Sequence, residues 1–489
     1  GATSLWLTIA EGADPGSLLD TVLDEVLLDL APVVLDAGLA ARSTAEAFLA
    51  HLRGRDVAPH PATNLGADPV AVAVRSGETP EDGALEDLVA VAGLARDAGV
   101  LGVVVDGTAV HDHGASDAQE LGYAVATGAA YLRALVDAGL DVDTAAGLVE
   151  FRLAATDEQF PTIAKLRAAR RLWARVLELS GAESRVQRQH AVTSRPMMSA
   201  YDPYVNMLRT TVAAFAAGVG GADAVTVLPF DSPLGRSEAF GRRIARNVSH
   251  LLVEESHLGK VTDPAGGAYA VERLTDDLAR AGWAELGRIE ESGGVLAALA
   301  DGSLRARVDE VAAQRDRLVA ERKRPLTGVS EFPDAAETRL EREPDPTQPA
   351  VRRYGAAFEA LRDEPRGQVF LASMGTVAAH TARVTFASNL FAAGGVAVAY
   401  PGPLADVEAA VSTYDGAPVV CLCGSDAAYA DWGPALVTAL REAGARHVVV
   451  AGKPAVRGPD GEVHLEVDDS CAMGVDALAF LTRTREVSA

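Results

Sequence analysis

The run Val100-Leu-Gly-Val-Val-Val-Asp106 is almost continuously apolar and ends on a carboxylate. Such a run is typical of a strand that is covered on both faces, as in a parallel sheet. Longer amphipathic stretches separate it from similar runs. These are Ser4–Ile9, Pro32–Asp36, Leu148–Leu153 and Ala224–Leu228. Repeated strand–helix units of this kind predict an α/β architecture, which could be a barrel or an open sheet.

One amphipathic stretch has both a helical pattern and a stop signal. Val205, Leu208, Val212 and Phe215 recur at the spacing of one helix face. Gly220-Gly221 follows in the position of a helix stop. The pattern therefore predicts a helix that ends just before the two glycines.

The composition divides the chain into three parts. Residues 1–320 carry the strand–helix units, and residues 321–365 are rich in proline and charge, which predicts a linker. Residues 366–489 return to short apolar runs separated by helical stretches such as Ala382–Ala393 and Pro434–Ala443. The candidate strands there are Val369–Ala372, Val396–Tyr400, Val419–Leu422, His447–Ala451 and His464–Val467. Five short strands with intervening helices predict a flavodoxin-like doubly wound sheet.

Charge and composition exclude several classes of protein. The net charge of −24 opposes nucleic-acid binding, which needs a basic surface. No apolar run approaches the ~18 residues of a membrane span, and no signal peptide is recognisable. Cys421, Cys423 and Cys471 form neither a disulfide framework nor a zinc motif, so we expect them in buried strands. These features predict a soluble, cytoplasmic protein.

A few histidines are the candidates for chemistry that the residues alone indicate. His111-Asp112-His113-Gly114 follows the strand that ends at Asp106, and loops after barrel strands form the active face of that fold. His190, in Arg188-Gln-His190, ends a candidate strand, where it could be catalytic or part of a polar rim. No nucleophile motif such as GxSxG supports a hydrolase. The residues alone leave the reaction open.

Five ordered segments resemble the methylmalonyl-CoA mutase family. They are Gly114–Tyr123, Ile163–Trp173, Met198–Thr211, Arg243–Asn247 and Asp263–Tyr269. The resemblance implies a (β/α)8 TIM-type barrel followed by a flavodoxin-like domain of the cobalamin-binding type. It also implies an adenosylcobalamin-dependent radical rearrangement between succinyl-CoA and methylmalonyl-CoA, in which the cofactor performs the difficult chemistry.

The sequence departs from the catalytic members of that family at two positions. They carry a histidine where alignment on Arg243–Asn247 places Thr226, and a threonine hydroxyl is no general acid near neutral pH. They bind cobalt through the histidine of a DxHxxG motif, whereas the stretch Met374–Ala382 contains His380 without that Asp or Gly. We therefore expect no catalytic residue, metal or cobalamin in this chain. His380 remains only a degenerate candidate that begins the helix Ala382–Ala393.

The same departures resemble the small, non-catalytic chain of the heterodimeric enzymes of the family. The run Gly218–Asp231 resembles the small-chain version. The resemblance implies a homologous catalytic large subunit as partner, with adenosylcobalamin bound there, and acyl-CoA as a further candidate partner. Arg188 and His190 are the candidate substrate-binding residues. Two alternatives remain, an active cobalamin-dependent acyl-CoA mutase and a CoA-binding regulatory module.

The resemblance also implies polypeptide upstream of Gly1. In the family, that part holds an arm that wraps the partner and the first barrel strands. A barrel without those strands exposes strand edges. We therefore expect the barrel within these 489 residues to be N-terminally incomplete.

Overall fold

The computed structural model describes residues 2–10, 12–80, 83–459 and 461–488, and Gly1 lies outside the described residues. Its internal contacts divide the chain into two compact units. The first consists of Gly1–Met198, Asn206–Ala312 and Glu341–Arg353, and the second consists of Ser199–Val205, Ala313–Leu340 and Tyr354–Ala489. No helix in these described ranges is long and apolar enough to cross a membrane.

The first unit contains a parallel sheet of seven strands that lie side by side in chain order. Each apolar run quoted above forms one of these strands, which confirms that part of the prediction. The strands are β1 (Leu5–Thr8), β2 (Val33–Asp36), β3 (Asn64–Ala67), β4 (Leu101–Asp106), β5 (Val149–Ala155), β6 (Arg188–Thr193) and β7 (Ala224–Thr226).

The seven-stranded sheet is curled. The Arg152 guanidinium carbon on β5 lies 4.1 Å from the ring centroid of Trp6 on β1. The ring of His190 on β6 lies 5.5 Å from the same Trp6 ring. In a flat sheet, strands four and five positions apart would be about 19 and 24 Å apart. The sheet therefore bends back on itself, so that inward-facing side chains of distant strands meet.

Helices connect these strands and continue beyond the last one. They are α1 (Pro15–Val22), α2 (Ala41–Arg55), α3 (Pro69–Ser76), α4 (Ala84–Ala98), α5 (Thr108–Asp112), α6 (Asp117–Asp137), α7 (Val142–Gly147), α8 (Gln159–Leu179), α9 (Val205–Val219), α10 (Ala239–His250), α11 (Tyr269–Glu291), α12 (Val295–Ala300) and α13 (Ser303–Ala320). As predicted, α9 ends before Gly220-Gly221, and Gly221 has a φ of +80°. The buried residues of α9 are mostly small or polar, while Leu208 of the same helix is 68% exposed. The apolar spacing located this helix but not its buried face.

The second unit contains a parallel sheet of five strands in the order β14-β11-β10-β8-β9. If the five strands are numbered 1 to 5 along the chain and taken from β9 to β14, their order in the sheet is 2-1-3-4-5. This is a doubly wound arrangement. The strands are β8 (Gln368–Ser373), β9 (Ala397–Ala399), β10 (Val419–Cys423), β11 (His447–Ala451) and β14 (Asp469–Cys471), and a separate hairpin is formed by β12 (Ala455–Gly458) and β13 (Gly461–His464). The helices are α14 (Ala356–Asp363), α15 (Val377–Ala393), α16 (Val407–Thr413), α17 (Asp426–Glu442) and α18 (Ala477–Val487).

Three predicted elements of this unit have different bounds in the structure. The fifth parallel strand is Asp469–Cys471, so the prediction of His464–Val467 is wrong. His464 instead pairs antiparallel with Ala455 in the hairpin, because apolar alternation does not distinguish a hairpin strand from a strand of the parallel sheet. Helix α17 begins at Asp426 and keeps Pro434 inside it. Helix α15 begins at Val377, so His380 lies within the helix and does not precede it.

Alternate residues of the central strands enter two separate cores, as the period of two in a strand requires. Leu371 and Cys421 pack on the face that α15 and α18 cover, and Phe370 and Leu422 pack on the face that α17 covers. All three cysteines are buried and unpaired, as predicted. Phe358 of α14, within the segment interpreted as a linker, is also buried in the first of these cores.

Candidate functional site

A cavity of about 1130 Å³ lies in the first unit, bounded on two sides by the edge strands β1 and β7. The structure brings three candidate residues from the sequence, Arg188, His190 and Thr226, to its wall. Trp6, Thr8 and Glu150 line it as well. The three candidates come from the neighbouring strands β6 and β7, whose pairing places His190 opposite Ala224 and Val192 opposite Thr226.

His190 is buried in a setting that keeps its ring neutral. Its Nε2 lies 2.7 Å from the Thr226 hydroxyl oxygen, in hydrogen-bond contact. Its Nδ1 lies 4.0 Å from Oε1 of Glu150. Burial lowers the pKa of His190 to about 3, and the positive charge of Arg152 adds to this effect. Near neutral pH the imidazole is therefore uncharged. It cannot act as a general acid there, because that role requires the protonated imidazolium.

Glu150 connects the histidine to the partly exposed Arg188. The Arg188 Nε lies 3.7 Å from Oε2 of Glu150. Burial raises the pKa of Glu150, while the charges of Arg152 and Arg188 oppose that rise. Arg188 is thus already engaged with a carboxylate on the neighbouring strand.

A buried ion network lies next to this cavity, and the sequence analysis missed it. Arg152 Nη1 lies 3.0 Å from Asp106 Oδ2 and 3.4 Å from Asp36 Oδ2. The Trp6 indole N–H donates to Asp36 at 3.2 Å. Burial raises the pKa of Asp106, but Arg75 and Arg152 outweigh it and hold that pKa well below its usual value. The signal was present in Val149-Glu-Phe-Arg152, where polar residues two apart on an apolar strand must share one face.

The histidine loop after Asp106 is buried in the structure. Its residues Thr108–Asp112 form α5, and His111 and Asp112 are almost fully buried. The His111 Nε2 lies 2.7 Å from the Ser194 hydroxyl oxygen. Across the described residues, no group of three or more His, Cys, Asp or Glu side chains is arranged to hold a metal ion. The hypothesis of a ligand-facing loop therefore has no support in this burial pattern.

In the second unit, His380 is fully buried within α15. Its Nε2 lies 3.0 Å from the Tyr400 hydroxyl oxygen, and the two rings meet edge to face. A histidine that binds a cofactor metal must present a ring nitrogen to the ligand. Here the imidazole is enclosed by protein and engaged with a tyrosine of the same unit.

The usual ligand crevice of a doubly wound sheet lies outside the carboxyl ends of its strands, where the strand order reverses. In this unit that point lies between β8 and β10, where the residues that follow the two strands pack against each other. The Met374 N–H donates to Cys423 O at 2.8 Å, and a Cβ on Gly424 would lie 2.8 Å from Met374 Cβ. Met374 therefore packs directly against the start of the segment that follows β10.

Arg383 of α15 contacts the segment that follows β10. Its Nη1 donates to Gly424 O at 2.6 Å, and its Nη2 binds Asp426. Its guanidinium carbon lies 4.6 Å from the ring centroid of Tyr429, whose hydroxyl donates to Leu422 O or Ala451 O, each at 2.9 Å. The ends of β10 and β11 are therefore tied together by side chains of the chain itself.

Comparison with known proteins gives a consistent family assignment. Residues 19–410 match the family model described as "Methylmalonyl-CoA mutase". The "Methylmalonyl-CoA mutase small subunit" of Streptomyces virginiae is 49% identical over 503 residues, which cover 99% of this chain and 80% of the relative. The "Probable methylmalonyl-CoA mutase small subunit" of Mycobacterium bovis is 43% identical over 92% of this chain and 76% of the relative. The small subunit of that name from Propionibacterium freudenreichii subsp. shermanii is 38% identical over 100% of this chain and 79% of the relative.

Proposed function

This chain belongs to the methylmalonyl-CoA mutase family, and from that premise we propose that it is the small subunit of such an enzyme. In this proposal it supports a homologous large subunit that interconverts succinyl-CoA and methylmalonyl-CoA by an adenosylcobalamin-dependent radical rearrangement. The observation that carries the proposal is the 49% identity to a protein named as a small subunit, across 99% of this chain.

The cavity of the first unit supports a non-catalytic role for this chain. Thr226 stands where catalytic members are expected to carry a histidine, and its hydroxyl is engaged with His190. A hydroxyl cannot act as a general acid near neutral pH, and a histidine with a pKa of about 3 cannot replace it. Arg188 and His190 remain candidates for contacts with an acyl-CoA, which stays part of the proposal.

The second unit supports the proposal that adenosylcobalamin belongs to the partner. The bound cofactor would supply the radical that starts the rearrangement. The residues here do not fit it, because His380 is fully buried against Tyr400 and Met374 packs against Gly424 between the ends of β8 and β10. We therefore propose no metal, no cobalamin and no catalytic residue in this chain.

The finer details of the architecture belong to the same proposal. We propose that the curled sheet is most of a (β/α)8 barrel, because its strands are parallel, lie in chain order and enclose a shared interior. The order 2-1-3-4-5 supports a flavodoxin-like second domain of the cobalamin-binding type without the ligand motif. Three unpaired cysteines are in keeping with a cytoplasmic location.

The test is to purify the chain with and without a co-expressed large subunit and to incubate each sample with adenosylcobalamin. After desalting, the visible spectrum reports the retained cofactor. We expect a colourless isolated chain, a 1:1 heterodimer, and one cobalamin retained per heterodimer. Stoichiometric cobalamin on the isolated chain would instead support an active mutase.

A further inference from the structure

Residues 251–262 form an exposed segment on the wall of the cavity in the first unit, and we call this segment the flap. It connects the end of α10 to Asp263. Ten of its twelve residues are exposed, and only Leu252 and Leu258 are partly buried. Leu252, Val253 and Leu258 line the cavity. The flap therefore forms part of the cavity wall while most of it remains in contact with solvent.

The flap has almost no polar attachment to the rest of the unit. Across the described residues, none of its side chains forms a hydrogen bond or an ion pair. Its backbone bonds are local, from the Ser256 N–H to Leu251 O at 2.8 Å and from the Lys260 N–H to His257 O at 3.0 Å. Segments with few buried contacts and exposed backbone bonds open at a low free energy. The flap can therefore open without unfolding the unit that carries it.

Both ends of the flap are fixed. Leu251–Glu255 continue α10 as one π-helical turn, an irregularity that is frequent at functional sites. At the other end, Arg167 of α8 donates to the two carboxylate oxygens of Asp263 at 3.1 and 3.0 Å. His257 and Asp263 have φ values of +53° and +44°, in the left-handed region that is common in turns. A loop held at two fixed ends is the arrangement of a hinged lid.

One apolar side chain anchors the middle of the flap. Leu258 packs against a small core that α8, α9 and α11 share. It lies directly over Gly218 of α9, where a Cβ would overlap the Leu258 side chain. Leu251, Val253 and Val261 of the flap are instead 48%, 59% and 62% exposed. Withdrawal of Leu258 from Gly218 would therefore release the flap.

The cavity wall beside the flap carries cations without carboxylate partners. Arg242 and Arg246 of α10 line the cavity, and neither forms an ion pair within the described part of the chain. They lie one helical turn apart, where like charges repel. Unpaired arginines in a chain with a net charge of −24 favour an anionic occupant. The phosphate groups of an acyl-CoA carry such charge.

We propose that the flap is a hinged lid of the cavity, which opens when Leu258 leaves Gly218 and is held closed by a bound acyl-CoA. The inference rests on the proposed function, in which an acyl-CoA is the candidate ligand. It adds the device that admits and retains this ligand. A ligand that contacts both α10 and the flap favours the closed state, because it binds that state more tightly than the open one.

The test is hydrogen–deuterium exchange of the complete chain with and without saturating succinyl-CoA. We expect the amides of residues 251–262 to exchange about tenfold more slowly with the ligand. Residues 23–31 are the internal control, since they are also largely exposed but do not line the cavity, and their exchange should not change. Binding without slower exchange in the flap would overturn the lid alone. Absence of binding would overturn both the lid and the acyl-CoA part of the proposed function.

Two variants test the anchor. Gly218→Ala should displace Leu258 and Leu258→Ala should remove its packing. In the ligand-free chain both should therefore exchange several-fold faster in the flap, and both should raise the Kd of succinyl-CoA about threefold or more. Val261→Ala is the matched control within the flap, because Val261 is exposed and does not line the cavity, and both quantities should change less than twofold.

The extent of the faster exchange decides between a lid and a fixed wall. Faster exchange confined to residues 251–262 in the Gly218 and Leu258 variants would support the lid. Unchanged exchange of the flap in both variants would overturn it. Faster exchange throughout the first unit would also overturn it, because Leu258 would then belong to the fixed core.

Discussion

At the scale of single residues, environment decides what each polar group in the cavity can do. His190 has the side chain of a general acid or base, yet it lies between Thr226, Glu150 and the ring of Trp6. Desolvation disfavours its charged form because the interior cannot replace the solvation that water provides. His190, which the sequence suggests as an acid–base group, is thus held in its neutral form by burial.

This burial predicts a pH dependence of stability. The pKa of His190 is about 3 in the folded chain and about 6.5 when unfolded. Its contribution is therefore fully present above pH 6.5 and is lost as the pH falls toward 3. We expect the free energy of unfolding to fall by about 2 kcal/mol between pH 7 and pH 5 from this residue alone. Urea unfolding at both pH values measures it, and His190→Gln should show a correspondingly smaller fall. Equal pH dependence in both proteins would contradict the assignment.

At the scale of elements, side chains link the carboxyl ends of β10 and β11 in the second unit. Helix α15 follows β8 along the chain and spans Val377–Ala393. Its Arg383 binds Gly424 O and Asp426, which lie just after β10. Arg383 therefore links α15 to the segment between β10 and α17.

Arg383→Ala should therefore destabilise the second unit. We expect the loss of about 1–3 kcal/mol of unfolding free energy, because a partly buried charged donor leaves Gly424 O and Asp426 without its bonds. Urea unfolding measures the effect. Arg441→Ala is the control, since Arg441 makes a similar contact with Asp468 at 3.0 Å but is more exposed, and should cost less than about 1 kcal/mol. Equal losses of unfolding free energy in the two variants would show that the contacts of Arg383 with Gly424 and Asp426 contribute no more than an ordinary surface ion pair.

At the scale of the whole molecule, the two units are interleaved along the chain. Residues 313–340 belong to the second unit although residues 341–353 return to the first. Val319 and Val329 of this stretch are buried in the same core as Leu371 and Phe480. The stability of the second unit thus depends on residues that precede its sheet by about 30 to 50 positions.

A chain that ends after Arg353 should consequently fail to form a stable protein. The truncation leaves Val319 and Val329 without the core that buries them, and exposed apolar surface of this kind promotes association. We expect aggregation or strong binding of an apolar dye, compared by gel filtration and fluorescence with the complete chain. A monomeric fragment with a cooperative unfolding transition would contradict the interleaved arrangement.

The class of fold, the family and most of the strands could be predicted from the order of the amino acids. Continuous apolar runs such as Val100–Asp106 need cover on both faces wherever they lie, so local composition is sufficient to identify them. The departures from the catalytic family pattern at Thr226 and around His380 could likewise be recognised from the positions of the family's motifs. What they imply for catalysis and cobalamin binding stays a prediction.

Which distant residues meet could not be predicted in this way, because it depends on long-range packing. The contact of Trp6 with Arg152 depends on how strongly the sheet curls, which no local pattern encodes. The contact of Arg383 with Gly424 depends on the direction in which α15 leaves β8. Apolar spacing could not separate the hairpin at His464 from the fifth strand at Asp469. Local propensity fixes the elements, whereas long-range packing fixes their relative directions and therefore the site.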